Sequence, residues 1–386
     1  MRFKDVLVDE TLKKRLAKLV DENRISHAQL FLGKAGSHSF ALAVAYAQYI
    51  CCEDKHDGDS CGKCHSCVMF EKLQHPDLHL VFPNCTTKEV PKDSDSKLLT
   101  NQFRDFVFAN DYHIDLNEWI RELKGDNKQV GINIRDCANI IAQNNIRAYE
   151  NGYKIYILWM AEKLNHTAAP KLLKTLEEPE NKTLFILLAE SSDMILPTIL
   201  SRTQLVKIPP LPESVIKEQL IEKEQLDEKE AADIAAISEG DYIKARHLMT
   251  DNSELHHLLL HYNIFMKSVT ALVRHADLGK VDYAGLQKTF KEVMDDGRDA
   301  QKQFFRYVSR MFRNELLLNK QSSALVKSTA EEFKVLDEFH SFFTIKNAAP
   351  LLKLCNDAIY HIERNVNSQL VFTDFYFQVA QALTNK

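Results

Sequence analysis

Three short apolar runs, separated by segments of helical periodicity, limit what this chain can fold into. The runs occupy residues 28–32, 153–158 and 184–188. Strands that are apolar along their whole length are typical of parallel sheets that helices cover on both faces. Because a helical pattern over residues 168–176 connects the last two runs, the sequence predicts a parallel α/β fold. Another short strand is expected over residues 78–82, ended by Pro83.

The adjacent residues Pro209 and Pro210 give the clearest domain boundary, because two prolines cannot continue a helix. We expect residues 1–208 to form the α/β domain. Residues 209–252 are predicted to form a small helical domain, and residues 253–386 an all-α domain, since their apolar side chains recur at helical spacing. Within the last domain, three aromatic residues are more typical of a core or a subunit interface than of a base-stacking platform: Phe372, Phe375 and Phe377.

Residues from about 84 to 126 interrupt the alternation of strands and helices. This stretch is rich in polar residues and shows no clear periodicity, so we interpret it as an irregular insertion in the α/β domain. Four apolar residues within it nevertheless indicate some packed helix: Phe103, Phe106, Val107 and Trp119.

Composition and charge narrow the function classes. The chain is 45% hydrophobic and 27% charged, which is the balance of a folded protein, and its formal net charge is −5. A chain of this charge has no global basic field, so any contact with DNA must be local or shared. No apolar run approaches the roughly 20 residues of a membrane span, and residues 1–5 contain no apolar signal core. We therefore expect a cytoplasmic protein without a membrane partner.

Four cysteines are spaced C-x8-C-x2-C-x2-C, at Cys52, Cys61, Cys64 and Cys67. Thiols stay reduced in the cytoplasm, so a metal explains this cluster better than disulfides do. Four thiolates can close a tetrahedral shell around Zn²⁺, and we predict a structural zinc site. Cys51 is a poorer first ligand, while His56 or His65 in place of a thiol and an iron–sulfur cluster are alternatives. The isolated Cys85, Cys137 and Cys355 are interpreted as buried small side chains.

The segment between the first strand and the next helix occupies the position of a phosphate-binding loop. Such a loop needs a second glycine, a lysine for the phosphates and a Ser or Thr for magnesium. Gly33 stands at the first position and Gly36 lies within the loop. His38, Ser39 and Phe40, however, stand where Gly, Lys and Ser/Thr are required. An ordinary strand-to-helix turn is the simplest alternative explanation.

A second part of an ATPase site is also missing. The strand at 153–158 ends in Trp159 and Met160, where an acidic pair would hold magnesium and orient water. Because both parts are lost, we expect this chain to carry out no Mg²⁺-dependent hydrolysis of ATP. One alternative is a divergent active ATPase that uses Lys34 and Glu162. Another is a zinc-containing module that binds nucleic acid by itself, against which the acidic charge balance argues.

Four motifs, taken in order, resemble those of bacterial clamp-loader AAA+ subunits. They are SHAQLF at 26–31, the degenerate loop at 33–40, KLLKTLEEP at 171–179 and TILSRT at 198–203. Within that family the delta-prime type of DNA polymerase III lacks the ATPase residues, as this chain does. The resemblance covers residues 1 to about 249. It implies an AAA+ domain with a zinc module at about 51–67, a helical lid domain and a C-terminal helical collar domain.

The resemblance also implies a role for Arg202. In the family, a Ser-Arg-Cys motif projects an arginine finger into the ATP site of the adjacent subunit. Here Ser201 and Arg202 are kept and Thr203 replaces the cysteine. The implied partners are the gamma/tau ATPase subunits, the delta subunit, the sliding clamp and primer-template DNA. Ile243 stands roughly where an active relative has an ATP-sensing arginine.

The adjacent carboxylates of Glu177 and Glu178 do not form an acid/base pair in this interpretation. Neighbouring residues of a helix point about 100° apart, so the two are poorly placed to share one substrate. We interpret them as the solvated end of a helix.

Overall fold

The computed structural model describes residues 1–87, 90, 92, 94–125, 130–146, 148, 152–165, 167–250, 252–275, 283–320, 322 and 325–384. The chain divides into two compact units. The first comprises residues 1–231 and 238–246, and the second comprises residues 232–237 and 247–386. None of the helices in these described ranges combines the length and the apolar character that crossing a membrane requires.

The first unit is built on a parallel sheet, which has five strands in the described part of the chain. The strands are β1 (Ala28–Leu32), β2 (Leu78–Val81), β3 (Lys154–Leu158), β4 (Thr183–Ala189) and β5 (Gln204–Lys207). Their order is β2-β3-β4-β1-β5, so the first strand of the chain lies inside the sheet. Leu30 of β1 pairs with Leu187 of β4 on one side and with Leu205 of β5 on the other. The predicted parallel α/β fold is confirmed.

Helices flank this sheet, and its central strands are buried on both faces. Every residue of β3 and β4 is buried. Ile155 and Ile157 belong to the core on one face of the sheet, while Tyr156 and Leu158 belong to the core on the other. Side chains that alternate between two apolar cores explain why these strands read as continuous apolar runs.

The helices of the first unit are α1 (Glu10–Asp21), α2 (Ser39–Cys51), α3 (His65–Glu71), α4 (Thr100–Ala109), α5 (Leu116–Glu122), α6 (Ile134–Asn144), α7 (Ala169–Glu177), α8 (Pro197–Leu200) and α9 (Glu213–Glu224). They are followed in the chain by α10 (Glu228–Ser238) and α11 (Tyr242–Thr250). The helix predicted at 168–176 corresponds to α7.

Within the stretch 84–126, the packed helix that four apolar residues indicated is confirmed by α4 and α5. The Phe103 ring of α4 stacks on the Phe82 ring, with 3.9 Å between centroids, and lies edge-on to Trp119 of α5 at 5.2 Å. The Trp119 indole N–H donates a hydrogen bond of 2.7 Å to the carbonyl of Pro83. The apolar side chains of this stretch therefore belong to the core of the first unit.

The edge strand β5 was not predicted. Gln204, Leu205 and Lys207 are exposed, and Val206 alone in this strand is buried. Its four residues therefore lack the apolar content that identified β3 and β4, because an edge strand has fewer neighbours to cover it.

The second unit is all-α in its described residues, as predicted. Its helices are α12 (Asn252–His275), α13 (Tyr283–Asp295), α14 (Arg298–Asn319), α15 (Ala330–Phe339), α16 (Ile345–Glu363) and α17 (Ser368–Thr384). The Phe372 and Phe375 rings are buried, and Phe375 stacks on Phe265 at 5.6 Å between centroids. Phe377 is 48% exposed. Two of the three aromatic residues singled out in the sequence are thus core residues.

A carboxyl group is buried among these helices. Glu315 is fully buried and accepts a hydrogen bond of 2.6 Å from the hydroxyl of Tyr262. Its Oε2 atom has no hydrogen-bond partner in the described part of the chain. Burial in apolar surroundings raises the pKa of Glu315 well above its usual range.

We expect Glu315→Gln to stabilise the second unit at pH 8 by on the order of 1 kcal/mol, and to have little effect near pH 5. Because the folded-state pKa is raised, the contribution of the acid is complete below about pH 4.3 and is lost as the pH rises towards the raised pKa. Hydrogen–deuterium exchange of α12 and α14 measures the difference. Glu338→Gln, at an exposed glutamate, is the control, and equal protection of wild type and Glu315→Gln at pH 8 contradicts the prediction.

Candidate functional site

The loop after β1 lies at the carboxyl ends of β1, β3 and β4, where open α/β sheets bind their ligands. A small cavity at this edge is lined by all the residues of the predicted degenerate nucleotide site: Gly33, Gly36, His38, Ser39, Phe40, Trp159 and Met160. The fold therefore brings together two segments that are far apart in the sequence.

The cavity leaves almost no room. Its volume is about 30 Å³, which is about the share of one molecule in liquid water. Pockets for drug-sized ligands have volumes of about 300–1,000 Å³. The cavity beside the loop is thus far smaller than such pockets.

The buried side chain of His38 is part of the cavity wall. His38 stands where a phosphate-binding loop has its second glycine, and its backbone has the left-handed conformation (φ 60°) that glycine favours. Its Nδ1 accepts a hydrogen bond of 2.8 Å from the backbone N–H of Leu7. Its ring stacks on the ring of His113, with 4.1 Å between centroids and 10° between planes. These contacts fix the orientation of the imidazole beside the loop.

The two stacked rings are uncharged. Burial lowers the pKa of His38 well below its usual value, and the neighbouring His113 adds to the effect. Burial likewise lowers the pKa of His113 to about 3. His113 also packs against Tyr242, with 4.4 Å between ring centroids. The loop therefore presents neutral aromatic surface where an ATPase presents cationic charge.

Carboxylates lie close to the position of the missing acidic pair. Trp159 and Met160 are buried, whereas Glu162 accepts a hydrogen bond of 3.0 Å from the backbone N–H of Glu190, which lines the cavity. Burial raises the pKa of Glu190, and the carboxylate of Glu162 raises it further. Glu162 is not among the described residues that line the cavity, and Lys34 is exposed at its rim. This arrangement gives no support to an active site built on Lys34 and Glu162.

The segment that precedes and begins α11 covers the loop. A side chain at Gly36 would place its Cβ 2.0 Å from Oδ1 of Asp241, and the φ of Gly36 is +69°. Only glycine fits both constraints. Ile243 lines the cavity and adds apolar surface where an active relative would have an arginine.

The four predicted cysteine ligands converge. The Sγ atoms of Cys52, Cys61, Cys64 and Cys67 lie within 4.8 Å of one another, and those of Cys61 and Cys67 are 3.9 Å apart. A tetrahedral zinc–thiolate shell has sulfur atoms about 3.8 Å apart, so these residues fit a zinc ion. The alternative ligand Cys51 instead directs its thiol at the carbonyl of Tyr153, at 3.9 Å.

Backbone N–H groups donate hydrogen bonds to the cysteine sulfur atoms, which favours binding of a cation. The N–H groups of Lys63 and Cys64 donate to Sγ of Cys61 at 3.4 and 3.3 Å. The N–H of Cys67 donates to Sγ of Cys64 at 3.4 Å. Such bonds favour the thiolate, and they lower the pKa of Cys61 to about 6.

The cysteine module also holds the N-terminal segment of the chain. The carboxylate of Asp59, which lies between Cys52 and Cys61, accepts hydrogen bonds from the backbone N–H groups of Phe3 and Lys4, at 2.9 and 3.1 Å. Farther along the same segment, the N–H of Leu7 bonds His38. The N-terminal segment thus contacts both the cysteine module and His38.

Arg202 is on the surface of the first unit, after α8, with 31% of its side chain exposed. Its Nη1 donates to the carbonyl of Thr198 at 2.7 Å, and Nε and Nη2 contact the carboxylate of Glu177. Thr203, which replaces the family's cysteine, donates its hydroxyl to the carbonyl of Ile199 at 3.2 Å and so caps α8. Glu177 is exposed at the end of α7, as expected, and it also pairs with the arginine.

Several of these partners were not identified in the sequence. Leu7, His113, Asp241 and Glu177 contact predicted site residues from distant positions in the chain. Their spacing carries no motif, because tertiary packing alone brings them to the site.

The fold and the site together define a class. A parallel sheet in this strand order, a loop after β1 that lacks the phosphate-binding lysine, and a four-cysteine cluster are the features of an AAA+-type protein with an altered nucleotide site. The family model described as DNA polymerase III, delta subunit, matches residues 8–212, which is more than half of the chain. The chain belongs to this family.

Individual relatives agree with this assignment. The delta' subunit of DNA polymerase III from Haemophilus influenzae is 31% identical over 210 residues, which are 54% of this chain and 50% of the relative. The Bacillus subtilis delta' subunit is 28% identical over 216 residues, covering 55% and 52%. The chain thus spans about half the length of the relatives it matches. The predicted resemblance to delta' clamp-loader subunits is confirmed.

The tau subunit of Bacillus subtilis DNA polymerase III is also related, with 26% identity over 203 residues, covering 53% of this chain and 28% of the relative. A solved Thermotoga maritima structure, described as a gamma subunit-related protein, aligns with 96% of this chain and 99% of its own, at 14% identity and a TM-score of 0.41.

We expect the purified chain to contain about one zinc ion, and Cys52→Ser to lose it, since three thiolates leave the shell open. Loss of the ion should also release the segment held by Asp59. Metal analysis, combined with hydrogen–deuterium exchange of residues 1–8, measures both effects. Cys51→Ser is the matched control and should keep the ion. Full zinc content in Cys52→Ser would show that the ligand set is different.

We expect a fluorescent ATP analogue to show no saturable binding to the chain below about 1 mM, because the cavity is filled and the charges that recognise phosphate are missing. His38→Gly should enlarge the cavity without raising the affinity, since it restores no lysine and no magnesium ligand. Magnesium-dependent binding in the micromolar range that is lost in Lys34→Ala would contradict this expectation and favour a divergent ATPase.

Proposed function

We propose that this chain is a non-hydrolysing delta'-type subunit of the bacterial replicative clamp loader. In this role Arg202 acts in trans, as an arginine finger at the ATP site of a neighbouring gamma/tau-type subunit, and Ser201 supports it. ATP binding and hydrolysis by the assembly then load the sliding clamp on primer-template DNA in the cytoplasm. Family membership and the delta' relatives support this proposal.

One contrast within the first unit carries the proposal. The loop after the chain's own β1 borders a cavity of only about 30 Å³, which is lined by His38, Trp159 and Met160 where an ATPase has its second loop glycine and its acidic pair. Arg202, by comparison, is accessible and is fixed between two helices. A chain that has closed its own site but keeps a rigid, exposed guanidinium is suited to stabilise phosphate charge on another subunit.

Zinc has a structural role in this proposal. The four thiolates complete a tetrahedral shell, which leaves no ligand position open for water or substrate. The ion would therefore order the loop between α2 and α3 and, through Asp59, the N-terminal segment.

We expect Arg202→Ala to lower the ATPase rate of the reconstituted clamp loader about 10-fold or more, because the neighbouring site loses the charge that stabilises the transferring phosphoryl group. The assay combines this chain with the gamma/tau-type and delta subunits of the same organism, with clamp and primed DNA as stimulants. The isolated chain should show no hydrolysis.

The control is Arg24→Ala, which removes another exposed arginine that is paired with a glutamate, Glu22. It should leave the rate unchanged. Normal assembly with an unchanged rate for Arg202→Ala would refute the finger role. Salt-sensitive DNA binding by the isolated chain would instead support the alternative of an autonomous nucleic-acid-binding module.

A further inference from the structure

Glu177 is the main carboxylate partner of Arg202, and this pairing goes beyond the finger role itself. We propose that Glu177 is a positioning residue: it fixes the Arg202 guanidinium in the orientation in which it meets the neighbouring subunit's nucleotide. The proposal rests on the trans-acting role of Arg202 proposed above.

The contacts surround the guanidinium on its own subunit. Oε1 of Glu177 accepts from Nε and lies against Nη2 of Arg202. Nη1 donates to the carbonyl of Thr198 at 2.7 Å and to Oγ of Ser201 at 3.3 Å. A guanidinium has five N–H groups, so these contacts in the described structure leave one N–H of Nη2 for an external acceptor. The arginine is oriented before any partner arrives.

The supports of this orientation are rigid. Glu177 is the last residue of α7, next to Leu176, and Thr198 belongs to α8, next to Ile199. Leu176 and Ile199 are both buried in the same apolar core on one face of the sheet. Packing therefore sets the distance between the carboxylate and the carbonyl, and the arginine spans two fixed points.

Two opposing effects of the carboxylate have to be weighed. Orientation favours catalysis, because a donor that is already in place need not reorganise when charge develops on the phosphoryl group. Partial neutralisation of the guanidinium opposes catalysis. Glu177 is 44% exposed and Arg202 31%, so water screens the charge effect. Orientation is the larger effect, and removal of Glu177 should slow the reaction.

The experiment compares Glu177→Gln, Arg202→Ala and the double variant in the reconstituted clamp loader, with assembly checked by size-exclusion chromatography. We expect Glu177→Gln to lower kcat about 3- to 5-fold, as for an exposed ion pair, with the KM for ATP unchanged, because the finger acts in the transition state. The double variant should hydrolyse at the rate of Arg202→Ala. Non-additivity of this kind is what a residue acting through Arg202 produces, and a merely structural role does not.

Glu178→Gln is the matched control, since it removes the same charge from the adjacent residue, whereas the contacts of Arg202 in the described structure are with Glu177. An unchanged kcat in Glu177→Gln while Arg202→Ala is slow would overturn the positioning role and leave the finger intact. A faster Glu177→Gln complex would overturn it in the opposite sense, by showing that the carboxylate restrains the arginine. An unaffected Arg202→Ala complex would remove the finger role and with it this inference.

Discussion

Burial of the central strands on both faces is the constraint on which the rest of this structure depends. Because every residue of β3 and β4 is buried, the centre of the sheet has little accessible surface on either face. Ligands can instead reach the ends of the strands, and parallel strands bring their carboxyl ends to one edge of the sheet. The loop after β1 and the residues after β3 and β4 meet there, around one cavity. Residues of α7 and α8 are buried in the same core as Tyr156 and Leu158 of β3, and this packing fixes Glu177 and Arg202.

In the loop after β1, packed side chains stand where a phosphate-binding loop has charged groups. A phosphate-binding loop keeps backbone N–H groups, a lysine and a magnesium ion around an empty space. Here the cavity beside the loop is lined by His38 and His113, whose rings stack at 4.1 Å, and His38 accepts the N–H of Leu7. These contacts stabilise the unit as core contacts do. A site of this kind is consistent with a subunit whose contribution lies on its surface and not in its own pocket.

How far the sequence predicted the structure depended on the range of each interaction. The central strands and the four-cysteine cluster were predicted, because continuous apolar character and x2 spacings are local patterns. The edge strand β5 has a single buried residue and gave no such pattern. The apolar residues of α4 and α5 indicated packed helix, but the polar stretch around them gave no bounds for the two helices. The contacts of His38 with Leu7 and His113, and of Arg202 with Glu177, join residues far apart in the chain, and a single sequence holds no record of such contacts.

The bonds between Asp59 and the backbone of Phe3 and Lys4 impose an order on folding during synthesis. Residues 3 and 4 leave the ribosome well before Asp59, and before the cysteine at position 67 that closes the cluster. The N-terminal segment therefore stays without its anchor while α1, β1 and α2 are being made. The two bonds that Asp59 accepts form only after the loop between α2 and α3 has been translated, whereas the bond between Leu7 and His38 does not need that loop.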